Sequence, residues 1–179
     1  MQSFNKEKFM ESDVALYGMF VSVSLVLSYI EAIIPINLPV PGMKLGLANI
    51  VIIWVLYSMG IKAAAIVSLV RVLLAGFMFG NMYSIIFSMA GALLSLITMY
   101  FLKKIKAFSI IGVSIAGGVM HNAGQIIVSM IVLENVRMAY YFPALMISGV
   151  VAGIAIGLLG GILYRKIKIL PQNTDRGKK

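Results

Sequence analysis

Six nearly unbroken apolar stretches divide this chain, at Val14–Ile34, Leu45–Met59, Lys62–Phe79, Tyr83–Leu102, Ser109–Leu133 and Phe142–Tyr164. A helix that crosses a bilayer needs about 20 predominantly apolar residues. The second stretch, about 15 residues long, is expected to tilt less than the others or to start within the preceding loop. None shows the ten-residue alternation of a barrel strand, and in lipid every backbone polar group must be satisfied internally. The expectation is therefore an all-α integral membrane protein, a six-transmembrane-helix bundle.

The connections sort by charge. Lys6 and Lys8, Lys62, the group Lys103, Lys104 and Lys106, then Arg165, Lys166 and Lys168, and finally Arg176, Lys178 and Lys179 fall on alternate connections between the spans, so all share one face. The opposite face holds only Lys44 and Arg137, and Arg71 lies within a span. Basic residues concentrate on cytoplasmic loops, so both termini are expected in the cytoplasm, as an even number of spans also requires. This divides the chain into a cytoplasmic N-terminal segment over 1–13, a membrane domain over 14–168 and a cytoplasmic tail over 169–179, expected to be disordered.

Composition agrees. Of 179 residues, 61% are hydrophobic and only 12% charged, against about 25% charged in a soluble domain. No soluble domain is expected. The net charge of +9 is explained by the loop distribution and not by nucleic-acid binding. Cysteine is absent, which removes disulfides, thiolate chemistry and Cys-based metal sites. Thirteen methionines suit an adaptable packing or lipid-facing surface. The polar N-terminus runs directly into a full-length span and has no short apolar region with a small-residue cleavage site, so a cleaved signal peptide is not expected.

Among the outward loops, Pro35–Lys44 carries Pro35, Pro39 and Pro41 between two helices. Proline removes backbone donors and fixes φ, so a stiff, irregular segment is expected there. The loop Glu134–Tyr141 combines two charges with paired tyrosines, and Phe79–Met82 is a short turn. In the last span Gly149, Gly153, Gly157 and Gly161 recur every four residues, with Gly18 and Ser22 as a weaker pair in the first. Small residues in this register let helices approach closely, either within the bundle or against a second membrane protein.

The chemistry concentrates in a few polar side chains. Arg71 lies nine residues from both Lys62 and Gly80, or about 13 Å from each end at 1.5 Å per residue. His121, the only histidine, lies twelve residues from either end of its own span, and Gln125 is one turn away on the same face. Asn122 is offset from that face by about 100°. A charge at such depth costs roughly 2.5–3.5 kcal/mol on insertion scales and normally faces a bundle interior or wet cavity. Arg71 and His121 therefore lie at matched depth, and two cation-capable groups there favour an anionic or strongly hydrogen-bonding ligand. A structural role, with Arg71 held by a carbonyl and His121 bonded across helices, is the competing reading. Arg71, His121, Asn122 and Gln125 are the candidate floor of a substrate pocket, with Asn49, Asn81 and Tyr141 nearer its mouth and Pro35, Pro39, Pro41 and Lys44 on a gating loop.

Catalysis is not expected. Asp13 and Asp175 are the only aspartates, no DDxxD motif can hold magnesium on a diphosphate, and no GxxxxGK[ST] phosphate loop or HExxH motif is present. No cofactor, no metal and no nucleic-acid partner are expected.

Lys44-Leu45-Gly46-Leu47-Ala48-Asn49 after a Pro-rich loop, Val70-Arg71-Val72-Leu73-Leu74, Phe108-Ser109-Ile110-Ile111-Gly112-Val113-Ser114 and Met120-His121-Asn122-x-x-Gln125 together resemble a bacterial membrane family. That family is labelled Gx transporter or heptaprenyl diphosphate synthase component I, and the likeness runs from about Val14 to Tyr164. It is similar to the substrate-binding S components of energy-coupling factor (ECF) transporters. The resemblance implies a bacterial plasma-membrane protein that captures a vitamin-like micronutrient or an anionic or aromatic solute from outside. It also implies a transmembrane coupling subunit and two ATPase subunits as partners. S components dock through an AxxxA-type face on the first helix, where this chain has Ala15, Gly18 and Ser22. The synthase label implies instead a membrane accessory of isoprenoid or quinone synthesis, and a stand-alone solute carrier is a third possibility.

Overall fold

The computed structural model describes residues 2–34, 46–105 and 107–167. Within them the chain forms six α-helices: α1 (Gln2–Ile33), α2 (Asn49–Ser58), α3 (Ile61–Phe79), α4 (Met82–Ile105), α5 (Ile110–Val132) and α6 (Phe142–Lys166). A short 3-10 helix, Val136–Tyr141, lies where the sequence suggested a loop. The proline-rich loop and the tail from residue 169 lie outside the described residues. α1 begins ahead of its apolar span, so the polar N-terminal segment continues the same helix.

Five helices are long and apolar enough to cross a membrane, and α2 is not. The expected span Leu45–Met59 is instead a helix of ten residues, about 15 Å long, half of a hydrocarbon core about 30 Å thick. The reason is local. Gly46 takes φ +87°, a left-handed conformation open to glycine and not to continuing helix. The next bonds, Asn49 N–H to Gly46 O (2.8 Å) and Ile50 N–H to Leu47 O (3.1 Å), form a tight 3-10 entry. The other end stops at Gly60 (φ +94°), whose N–H returns to Val55 O at 3.2 Å.

The helices close a ring: α2 packs on α3 and α6, α3 on α4, α4 on α5, and α5 on α6. α1 lies outside it against α3 and α2. At the end of the ring where α4 and α6 finish, Lys103, Lys104, Arg165 and Lys166 occupy the last turns, beside the negative ends of the helix dipoles. Lys103 also donates to Leu56 O at 2.6 Å and covers the Tyr57 ring, 4.9 Å from its centroid. The larger apolar core fills this basic half, from Phe20 through Val51–Leu56, Ala64 and Val67 to Met99 and Ile156. A smaller cluster of Phe87, Ile126 and Leu145 fills the opposite half between α4, α5 and α6. Side chains such as Phe77, Leu93, Phe101, Ile131 and Val151 point outward, as lipid contact requires.

α5 and α6 meet along the glycine register of the last span. A Cβ on Gly149 would lie 2.9 Å from Gly118 O, one on Gly153 2.5 Å from Ile115 Cα, and one on Gly157 2.7 Å from Ile111 Cα. These three glycines are thus taken up inside the bundle, while Gly161, 4.0 Å from Ile110 Cγ2, has room. Gly18 has open space around it and Ser22 returns its hydroxyl to Gly18 O at 2.8 Å on an exposed face of α1.

Candidate functional site

The half-length α2 places a helix N-terminus at the middle of the bundle, and Arg71 meets it there. Arg71 is central in α3 and 3% exposed. Its Nη2 donates to Asn49 Oδ1, on the first residue of α2, at 3.2 Å. Glu31, in the last turns of α1, accepts the Gly46 N–H at 2.6 Å and lies within electrostatic reach of Arg71. A side chain at Gly46 would strike Asn49 Nδ2 at 2.7 Å. Three helices therefore converge on one knot: Glu31 from α1, Gly46 and Asn49 at the start of α2, and Arg71 from α3.

Across the ring, α5 contributes His121 (2% exposed) and Gln125 (0% exposed). Their Nε2 atoms lie 3.2 Å apart. With the amide in this orientation its NH2 donates to His121 Nε2 and the imidazole proton sits on Nδ1; with the amide turned over, Nε2–H donates to Oε1. The Gly91 backbone lies beside the imidazole, and neither His121 Nδ1 nor Gln125 Oε1 has a partner of full hydrogen-bond geometry among the described residues. Turning the amide over would leave its NH2 group unpaired instead. Gly91 makes the approach possible, since a Cβ there would lie 2.7 Å from His121 O. His121 is within electrostatic reach of Arg71, and no hydrogen bond joins them among the described residues.

Further buried polar atoms are without hydrogen-bond partners among the described residues: Ser24 and Ser28 Oγ on α1, Trp54 Nε1 on α2, Arg71 Nε itself, and Ser84 and Ser88 Oγ on α4. A buried unsatisfied donor or acceptor costs about 1–3 kcal/mol. Native interiors leave few of them, and such groups ordinarily meet water or a ligand. Among the described residues, helices α1 to α5 contribute such atoms and α6 contributes none.

Other candidates fall elsewhere. Asn122 donates through Nδ2 to Leu145 O (2.7 Å) and Ser148 Oγ (3.2 Å), which fastens α5 to α6 on a face turned away from His121. Asn81 is exposed and accepts the Ser84 N–H at 2.8 Å, an N-terminal cap for α4. Tyr141 is 45% exposed at the end of the 3-10 helix. No hydrogen bond joins Asn81 or Tyr141 to Arg71 or His121 among the described residues. Asn49, expected nearer the mouth, lies at the depth of Arg71. The lid residues Pro35, Pro39, Pro41 and Lys44 fall outside the described residues.

Sequence reasoning passed over the serines and Gly91. The spacing was readable: Ser24, Ser28 and Glu31 recur at four and three residues, and so do Ser84, Ser88 and Gly91, the interval of a single helix face. Among the described residues no cluster of three or more His, Asp or Glu side chains could hold a metal ion.

Compared with known proteins, residues 20–163 match the sequence model of a family described as Heptaprenyl diphosphate synthase component I. No curated protein and no solved structure matches the chain.

Proposed function

This chain belongs to the heptaprenyl diphosphate synthase component I family, and from that membership and its buried polar cluster we propose that it is the solute-capturing S component of an ECF-type uptake transporter. The observation that carries this reading is the set of buried polar atoms, Arg71 Nε and Gln125 Oε1 among them, that have no hydrogen-bond partner among the described residues of a chain of membrane-spanning helices. A small solute bound between α1, α3, α4 and α5 would satisfy them. The chain acts by binding and not by catalysis, and it relies on partners for energy: a transmembrane coupling subunit and two cytoplasmic ATPases. The basic ends of α4 and α6 support an orientation with both termini in the cytoplasm of a bacterial plasma membrane.

Native mass spectrometry of the purified protein tests this reading. A retained small molecule, released on unfolding and lost in Arg71→Ala, is the expected result. Persistent absence of any small adduct from folded protein would overturn it.

The family's description favours a second reading, a membrane accessory of isoprenoid diphosphate synthesis. That accessory would co-purify with a soluble prenyl synthase, whereas the S component would co-purify with the coupling subunit. A stand-alone carrier would transport with neither.

A further inference from the structure

At the basic end of the bundle α2 and α6 run side by side in fixed register. A Cβ on Gly160 would lie 2.6 Å from Ile53 Cγ2, and one turn further along each helix the Tyr57 and Tyr164 rings meet with centroids 5.7 Å apart. Lys103 reaches this seam from α4, donating to Leu56 O at 2.6 Å and standing over the Tyr57 ring. An ammonium has three N–H donors, so two are left without a partner among the described residues. Lys166, two residues beyond Tyr164, is exposed and makes no hydrogen bond or ion pair among the described residues. We propose that the foot of the α2–α6 seam binds one anionic phospholipid, with its phosphate on Lys103 and Lys166 and its glycerol region against Tyr57 and Tyr164.

Charge and depth select this partner. Lys103, Lys104, Arg165 and Lys166 gather at this end. The acidic side chains whose surroundings are described, Glu31 and Glu134, lie toward the other end, in the last turns of α1 and just beyond α5. Positive charge is thus offered here with no described carboxylate to neutralise it. Ile162 and Leu159, four and seven residues before Lys166, share its face of α6 and are both 50% exposed. An acyl chain lying on them brings a phosphate to the level of Lys166. Tyrosine suits the same level, because its ring packs on apolar matter while its hydroxyl stays in the polar layer. A soluble anion lacks the apolar half of this contact. A zwitterionic headgroup brings its own cation to the two lysines and loses the attraction.

The full chain in detergent is mixed with equal amounts of phosphatidylglycerol and phosphatidylcholine of identical acyl chains, and retained lipid is counted by native mass spectrometry. Phosphatidylglycerol is expected to be retained at least fivefold over phosphatidylcholine. Lys166→Gln changes an exposed side chain and should lower that preference at least threefold at an unchanged melting temperature. Lys103→Met should lower it as much, and it also strips Leu56 O of its donor, so Lys166→Gln carries the test if Lys103→Met does not fold. Lys104→Gln removes an equal charge from the same end but away from the seam, where Lys104 stands over Tyr100, and should leave the preference unchanged. Equal retention of the two lipids overturns the proposal and leaves the patch to an acidic protein. An equal fall in Lys104→Gln and Lys166→Gln overturns it in favour of diffuse attraction without a site.

Discussion

Arg71 Nη2 donates to Asn49 Oδ1 across 3.2 Å, joining the middle of one full-length helix to the first residue of a half-length one. The bond reaches the start of α2, which the turn at Gly46 sets, and it places a guanidinium beside that beginning. Several consequences can be measured.

Asn49→Asp should preserve the contact and change its charge. The new carboxylate would pair with Arg71 and occupy the place proposed for the solute. The expected outcome is normal accumulation in the membrane with loss of the retained small molecule, read by native mass spectrometry. Asn49→Ala should instead lower stability by about 1–3 kcal/mol, because it strips Arg71 of its acceptor. Thermal unfolding in detergent distinguishes the two substitutions.

Gly46→Ala should be damaging despite its small size. At φ +87° a Cβ is strained, and it would also strike Asn49 Nδ2 at 2.7 Å. A positive φ imposed on a non-glycine residue costs of order 1–3 kcal/mol. A lower melting temperature is expected, together with weakened solute retention because Asn49 is displaced.

The glycine seam should show a sharp positional contrast. Gly153→Val places a branched side chain where even a Cβ would be 2.5 Å from Ile115 Cα, and overpacking of this kind costs about 1–3 kcal/mol or more. Gly161→Ala meets only Ile110 Cγ2 at 4.0 Å and should be tolerated. Protease resistance of the two variants in membranes provides the comparison.

Asn122→Leu should separate packing from binding. It removes the hydrogen bonds to Leu145 O and Ser148 Oγ, and polar contacts between membrane helices contribute about 0.6 kcal/mol on average and up to about 1.7. A modest fall in stability with unchanged solute retention is expected. The adjacent substitution His121→Leu should reduce retention.

Much of this architecture was legible in the chain. The five long helices follow directly from apolar runs, because lipid leaves an apolar segment little alternative to a helix. The start of α2 was not legible, since Leu45, Leu47 and Ala48 are as apolar in a turn as in a helix. Hydropathy records side chains, and Gly46 acts through a backbone angle. Arg71, His121, Gln125 and Asn49 stood out as polar groups in apolar surroundings, and the structure buries all four. Asn122 stood out for the same reason, yet its 100° offset from His121 turns it toward α6. The serines were silent because a serine in an apolar helix often bonds to its own backbone, as Ser22 does to Gly18 O. Their residue type does not distinguish that arrangement from an unpartnered hydroxyl in the interior.

The close backbone approaches have a mechanical consequence. At Gly124 between α4 and α5, and at Gly118, Gly149 and Gly153 between α5 and α6, main chain lies against main chain, and at Gly91 the backbone meets His121 O together with the Gln125 and His121 side chains. Those three helices should move as one stiff plate that carries His121 and Gln125. Arg71 stands on α3, away from those glycine approaches. A change in the gap between Arg71 and His121 is then a displacement of α1–α3 against a stationary plate, and the knot at Asn49 is the point at which that displacement would be felt.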